Sequence, residues 1–361
     1  MDKYLFIKCF SFFILISNIG FSTPTDSLKF KIKVLPSAFY TPETSLGLGA
    51  LVYTYFKFNK NNNRLLRKSN TQSYIDYTLN KQFTFENDYQ LWLKENQIYL
   101  TGAANFSRFP EYYYGIGNDT KENDRIITSF DLIMIQSKNL FQLNNNLYGG
   151  LYFHYQNLAT NENVSVHHTS CSDAFGKMGY EAKGIGPILI YDTRDNPLNP
   201  SNGAYVETSY MDYKNIINNN NMFVSFVLDA RKYYTILKKI VWNGNFYFSY
   251  NKGEVPYRML PEIGGARFLR GYYRGRFRDN NMIVVQQEFR MPVYKMIGIA
   301  VFGGVGEVSK TVSDLKLNEM HYNYGIGLRI RINKKENTNL RIDYGFTKDS
   351  QGLYVVFAEA F

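Results

Sequence analysis

Four histidines and two cysteines are the residues best suited to catalysis or metal binding. His167, His168 and Cys171 fall within five positions, so a metal site has to be weighed there. Adjacent histidines rarely chelate one ion, and no closed set of four ligands accompanies them. The other two histidines, His154 and His321, stand far from these and from each other. An embedded lipase or protease would need a nucleophile and a base held together, and no such pairing is marked in the chain. The expectation is therefore no enzyme, no catalytic residue, no metal and no cofactor.

The more pointed chemistry is that of arginine. Arg267, Arg270, Arg274, Arg276 and Arg278 crowd one segment, 252–281, that lacks strand alternation. In an open loop they are solvated charge; enclosed, each guanidinium requires a carboxylate. A second charged group lies in Tyr191–Gly203, YDTRDNPLNPSNG. There Asp192 and Asp195 can cap turn amides, Arg194 can pair with them, and Pro200 and Gly203 can set the turn geometry.

The elements that must position these residues are strands. In 328–333 (LRIRIN), Leu328, Ile330 and Ile332 point one way and Arg329 and Arg331 the other. In 340–346, Leu340, Ile342, Tyr344 and Phe346 alternate with Arg341 and Asp343. Such segments are expected at 45–58, 71–80, 82–94, 96–108, 125–139, 146–159, 179–192, 203–213, 222–235, 239–251, 282–292, 296–308, 321–333, 338–347 and 352–361. An up-and-down barrel needs an even number, and 29–40 is either the missing strand or a periplasmic lead-in. Short links at Asn80-Lys81 and Asn144-Asn145 are expected on the periplasmic side, with the longer ones near 109–124, 160–178 and 252–281 outside. A soluble sandwich would show the same periodicity; an export leader, the aromatic load and the strand count favour the membrane. The expected fold is all-β, a transmembrane antiparallel β-barrel of about 16 strands.

Residues 1–22 have the plan of a cleavable signal: a polar start with Lys3, then an uncharged run from Cys9 to Phe21, too short to span a bilayer. The expected layout is signal 1–22, lead-in or extra strand 23–40, and barrel 41–361. Beyond the leader no stretch of eighteen apolar residues occurs, and the mean hydropathy is −0.33, which excludes transmembrane helices. Aromatic residues make up 17%, as suits strands and interfacial girdles. With Cys9 lost in the leader, Cys171 has no partner for an internal disulfide. The formal net charge is +10; an exported chain has no nucleic acid to meet, and acidic polypeptide or anionic lipid, lipopolysaccharide included, fits instead.

Three stretches resemble the bacterial surface antigen family, the superfamily of outer-membrane barrels of the BamA/TamA type. The turn Tyr191–Gly203 is similar to that family's Tyr-Asp-x-Arg-Asp … Pro-x-x-Gly turn. Arg270-Gly271-Tyr272 resembles the signature of its sixth extracellular loop, and Glu288-Phe289-Arg290 the strand signature that follows. The C-terminus, with Val355, Phe357 and Phe361 on one face, resembles the terminal signal read at insertion, although Glu359 interrupts that face. The resemblance implies a loop folded into the lumen, with its arginine on an acidic wall residue. The family commonly carries Phe-x-Asp-x-Gly on the next strand, but this chain has Gly304 at the acidic position. Glu288 thus becomes the expected partner of Arg270, with Gln286 and Arg290 beside it on the lumenal face. The implied activity is assistance to proteins or lipids entering or crossing the outer membrane, with the outer-membrane assembly machinery as partner for the chain's own insertion and client polypeptides or lipids beyond it. The alternative is a passive pore or structural surface barrel. The family's periplasmic polypeptide-transport-associated domains find no room in the twenty or so residues between leader and first strand.

Overall fold

The computed structural model describes residues 31–41, 45–56, 66–160, 174–215, 220–237, 239–333 and 337–361. The leader at 1–22 and the His167/His168/Cys171 cluster lie outside them. Among the described residues eighteen strands follow one another: β1 Lys31–Thr41, β2 Ser45–Phe56, β3 Ser69–Thr78, β4 Phe83–Leu93, β5 Ile98–Tyr113, β6 Ile126–Asn144, β7 Leu147–Thr160, β8 Tyr180–Asp192, β9 Gly203–Asn215, β10 Asn221–Ile236, β11 Ile240–Gly253, β12 Glu262–Ile263, β13 Phe277–Arg278, β14 Asn281–Tyr294, β15 Ile297–Ser309, β16 His321–Asn333, β17 Thr338–Phe346 and β18 Gln351–Phe357. Sixteen of them form one antiparallel sheet in which each strand pairs with its chain neighbours, while β12 and β13 pair only with each other. Among the described residues no ladder joins β1 to β18, but the sheet curls far enough for Lys33 Nζ of β1 to donate to the Ile332 carbonyl of β16 at 3.0 Å.

Period-two alternation builds two opposite surfaces. On β8, Ile185, Leu189 and Tyr191 are exposed while Ile188, Ile190 and Asp192 are buried. Exposed Ile326, Leu328, Val355 and Leu353 continue the outer apolar band on β16 and β18, the reverse of a soluble protein. The interior is mixed. One apolar cluster includes Tyr113, Phe130, Leu158 and Tyr213 with Tyr257 and Leu260 from the long loop; another joins Ile263, Leu269, Tyr272 and Phe277 to Met282 and Val284.

The structure amends four expectations. Residues 31–41 are a full strand in register with β2, so the lead-in alternative falls and the barrel begins before residue 41. Asn80-Lys81 joins β3 to β4 at the same end as the long loop, because strand direction alternates; of the two short links expected on the periplasmic side, Asn144-Asn145 between β6 and β7 is the one that lies at the end bearing the termini. Segment 252–281 is no bare loop, since it contains the β12–β13 ladder. Finally, the last strand stops at Phe357, which pairs with Leu340. Ala358 then takes φ +67° and the tail leaves the sheet. Phe361 is therefore buried, at 4% exposure, whereas Val355 is exposed, so the two do not share a face. The same departure explains Glu359: it turns inward to ionic partners instead of interrupting an apolar face.

Candidate functional site

The site is the tip of loop 254–280, pressed against the inner wall of β14–β18. Backbone geometry shapes the tip. Leu269 has φ +49° and Gly271 φ +121°, and the second conformation is one that residues with a Cβ rarely adopt. The descending chain meets bare backbone: Gly325, Gly345 and Gly352 lie in register on β16, β17 and β18. A Cβ at Gly345 would collide with the Arg270 carbonyl and stand 2.9 Å from the Gly271 amide nitrogen. Wall side chains then take up the tip's polar groups. Asn323 Nδ2 donates to the Arg270 carbonyl at 2.8 Å, the Gly271 N–H to the Tyr354 hydroxyl at 3.0 Å, and Ser350 Oγ to the Gly271 carbonyl at 2.9 Å. Tyr354 in turn donates to the Tyr272 carbonyl at 3.1 Å.

Arg270 itself is 1% exposed. Its Nη2 donates to Glu288 Oε2 at 2.8 Å and its Nη1 to Asp343 Oδ2. Its guanidinium carbon lies 3.4 Å from the centre of the Phe302 ring, whose face attracts a desolvated cation. Arg329 supports the same two carboxylates from below, at 3.0 Å from Glu288 and 2.6 Å from Asp343, and bonds Glu359 at 2.8 Å. Arg341 stands 3.3 Å from Asp343. A buried guanidinium survives only with such compensation, and here Glu288 is shared between two arginines and Asp343 among three.

Thus Arg270 and Glu288 meet, and Arg290, on the same face, does not join them. Arg290 reaches the other group of residues singled out in the sequence, donating to Asn199 Oδ1 at 2.7 Å and to the Pro200 carbonyl. In that turn the Asp192 carboxylate accepts from Arg194 Nε at 2.9 Å and from Arg67 Nη1 at 2.5 Å. Asp195 Oδ1 accepts the amides of Asn196 and Ser201 at 2.9 and 2.8 Å; of the two aspartates it is Asp192 that Arg194 meets. Gly203 opens β9 at φ +106°. The turn lies across the lumen at the end bearing the termini, where Glu359 N–H donates to the Leu198 carbonyl at 3.3 Å. Sequence reasoning missed Asp343, Arg329 and Glu359. The first two sit on the polar side of segments whose alternation was plain; nothing local told which strand the loop tip would touch.

Higher in the loop a separate ionic group braces the descent. Glu262 accepts from Arg274 Nε at 2.8 Å and lies 3.2 Å from Arg278 Nη2, while Arg258 donates to Glu111 at 2.6 Å. Burial opposes the charge on Glu262, but Arg274, Arg278 and Arg258 outweigh it and hold the carboxyl at about 2. A lowered carboxyl pKa gives stability that is present above the unfolded value near 4.3 and lost as pH falls through the folded one. Amide exchange over 258–278, corrected for intrinsic rates, is expected to be equally slow at pH 7 and pH 5 and to quicken only on further acidification, as the pH falls toward about 2. Loss of protection already between pH 7 and 5 would refute it.

A family model described as the Omp85 superfamily domain matches residues 46–357. No curated protein sequence matches the chain. Among solved structures, BamA from Haemophilus ducreyi lacking POTRA domains 1–3 superposes with a TM-score of 0.56 at 12% identity, over 92% of this chain and 70% of that one. CdiB from Acinetobacter baumannii superposes with a TM-score of 0.54 at 13% identity, over 90% of this chain and 57% of that one. At such identities the likeness is one of fold.

Proposed function

The chain belongs to the Omp85 superfamily of outer-membrane β-barrels, and from that premise we propose that it assists polypeptides or lipids in entering or crossing the outer membrane. The observation that carries this reading is the buried loop tip: Arg270 is held by two carboxylates of the wall although loop 254–280 starts at the mouth of the barrel. A passive pore gains nothing from so elaborate an internal contact. Both mouths are also obstructed, one by this loop and the other by the turn 193–202. We read the chain as acting through its fold and not as an enzyme; His154 lies 2.8 Å from the Tyr213 hydroxyl and His321 stacks on Phe277, positions that suit packing. The end bearing the termini would then face the periplasm, and the chain's own insertion would use the outer-membrane assembly machinery.

The test is reconstitution in liposomes of outer-membrane lipid. Faster folding of an added unfolded barrel protein than in protein-free liposomes is expected, together with little steady conductance in planar bilayers. No acceleration with a large steady conductance would favour the passive pore.

A further inference from the structure

One stretch of the lumenal wall stands apart from the arginine sites. The lumenal carboxylates Glu111, Asp192, Glu207, Asp229, Glu288 and Asp343, on six different strands, each meet a lysine or arginine within 4 Å. Asp76, Glu86 and Asp88, on β3 and β4, meet none among the described residues. The register sets Asp76 opposite Thr84, Glu86 opposite Tyr74 and Asp88 opposite Gln72, so the three carboxylates share one face, Asp76 diagonal to Glu86 and Asp88 two residues beyond Glu86 on the same strand. That face is the lumenal one: Trp92, four residues beyond Asp88, is buried in the interior cluster with Tyr99, Leu140 and Ile190.

Two further observations concern what this wall meets. Asp76 is only 4% exposed and is hydrogen-bonded by the Tyr74 and Thr84 side chains, yet its Oδ1 is left without a hydrogen-bond partner; Glu86 has the neutral amide of Asn105, at 2.9 Å. Asp88, although directed inward, is exposed. So the lumen is open to water beside Asp88 and closes toward Asp76, where Thr78, Gln82 and Thr84 are buried as well. Of the lumenal lysines on nearby strands, Lys138 of β6 is spent on Glu207 at 2.6 Å and Lys33 of β1 on the Ile332 carbonyl at 3.0 Å. An unsatisfied carboxylate oxygen at the closed end of a wet acidic recess calls for a positive charge.

We infer that the β3–β4 wall is a cation-receiving recess of the lumen, taking an ammonium or guanidinium group of a passing polypeptide or a simple cation. It does not depend on the function proposed above. The probe is Gln72→Cys, opposite Asp88, in a chain with no other cysteine. Folded barrels are treated with a trimethylammonium-bearing or a sulfonate-bearing methanethiosulfonate. Relative to free cysteine, the cationic reagent is expected to react at least about 10-fold faster than the anionic one, the scale of electrostatic focusing in a charged cleft. Asp88→Asn alone should lower that preference, and Asp88→Asn with Glu86→Gln should remove most of it. A preference no greater than that of free cysteine, or no reaction with either reagent, overturns the inference. The source of the charge is read from protection. Pentalysine slowing the cationic reagent more than KCl of equal ionic strength assigns a polypeptide group, equal slowing assigns simple cations, and slowing by neither again overturns it.

Discussion

Replacing Arg270 with alanine is expected to release loop 254–280 from the lumen, giving rapid tryptic cleavage among its remaining arginines in otherwise folded barrels. Truncating one partner of a buried ion pair typically costs about 3–5 kcal/mol. At 1.4 kcal/mol per tenfold, that raises the undocked population by a factor of about 100 or more. Glu288→Ala should cost less, because Arg270 keeps Asp343 and Arg329 keeps both Asp343 and Glu359. The double variant should be little worse than Arg270→Ala, since the second change removes a group whose partner in the loop has already gone. Additive effects, or a loop cleaved equally fast in the unaltered protein, would mean that Arg270 does not hold the tip.

The second large effect requires no charge to change. Gly345→Ala places a methyl group against the Arg270 carbonyl and beside the Gly271 amide. Neither can swing aside, because both are backbone atoms of a tip already tied to Asn323, Tyr354 and Ser350. Cleavage of the loop is expected to approach that of Arg270→Ala although every ionic partner is intact. Gly352→Ala is the control: its methyl would lie 2.6 Å from the Tyr354 hydroxyl, the movable end of a side chain, so a smaller effect is expected. A Gly345→Ala loop as protected as the original would show that the tip does not lie on the wall as closely as described.

These two expectations also mark how far the chain could be read before its structure. Alternation exposed the strands, because a lipid-facing side cannot hide its period, and set Glu288, Arg329, Arg341 and Asp343 opposite the apolar side; the export leader, the aromatic load and the strand count made theirs the lumenal one. The pairing of Arg270 with Asp343 was not legible. It joins residues 73 positions apart and depends on the depth to which the loop descends, which bare glycines on three strands decide. β1 was ambiguous because its alternation runs only from Lys31 to Val34 before Leu35 and Pro36 interrupt it, and a proline within a run argues against a strand. Glu359 was misread for a local reason. Its meaning turns on one residue, Ala358, leaving the extended conformation, and alanine gives no warning of a positive φ.

Arg270 of the loop and Arg290 beneath the turn find their partners on β14, β17 and the tail after β18. In a chain made and exported from its N-terminus, those partners are the last to arrive. Contacts so distant along the chain form slowly, after the local hairpins. The interior therefore cannot be sealed without the end of the chain: in the absence of β17 Arg270 lacks one of its two carboxylates, and in the absence of the tail Arg329 and Arg290 lack Glu359. A chain shortened by its last hairpin would keep most of its strands and lose the carboxylates that seal them.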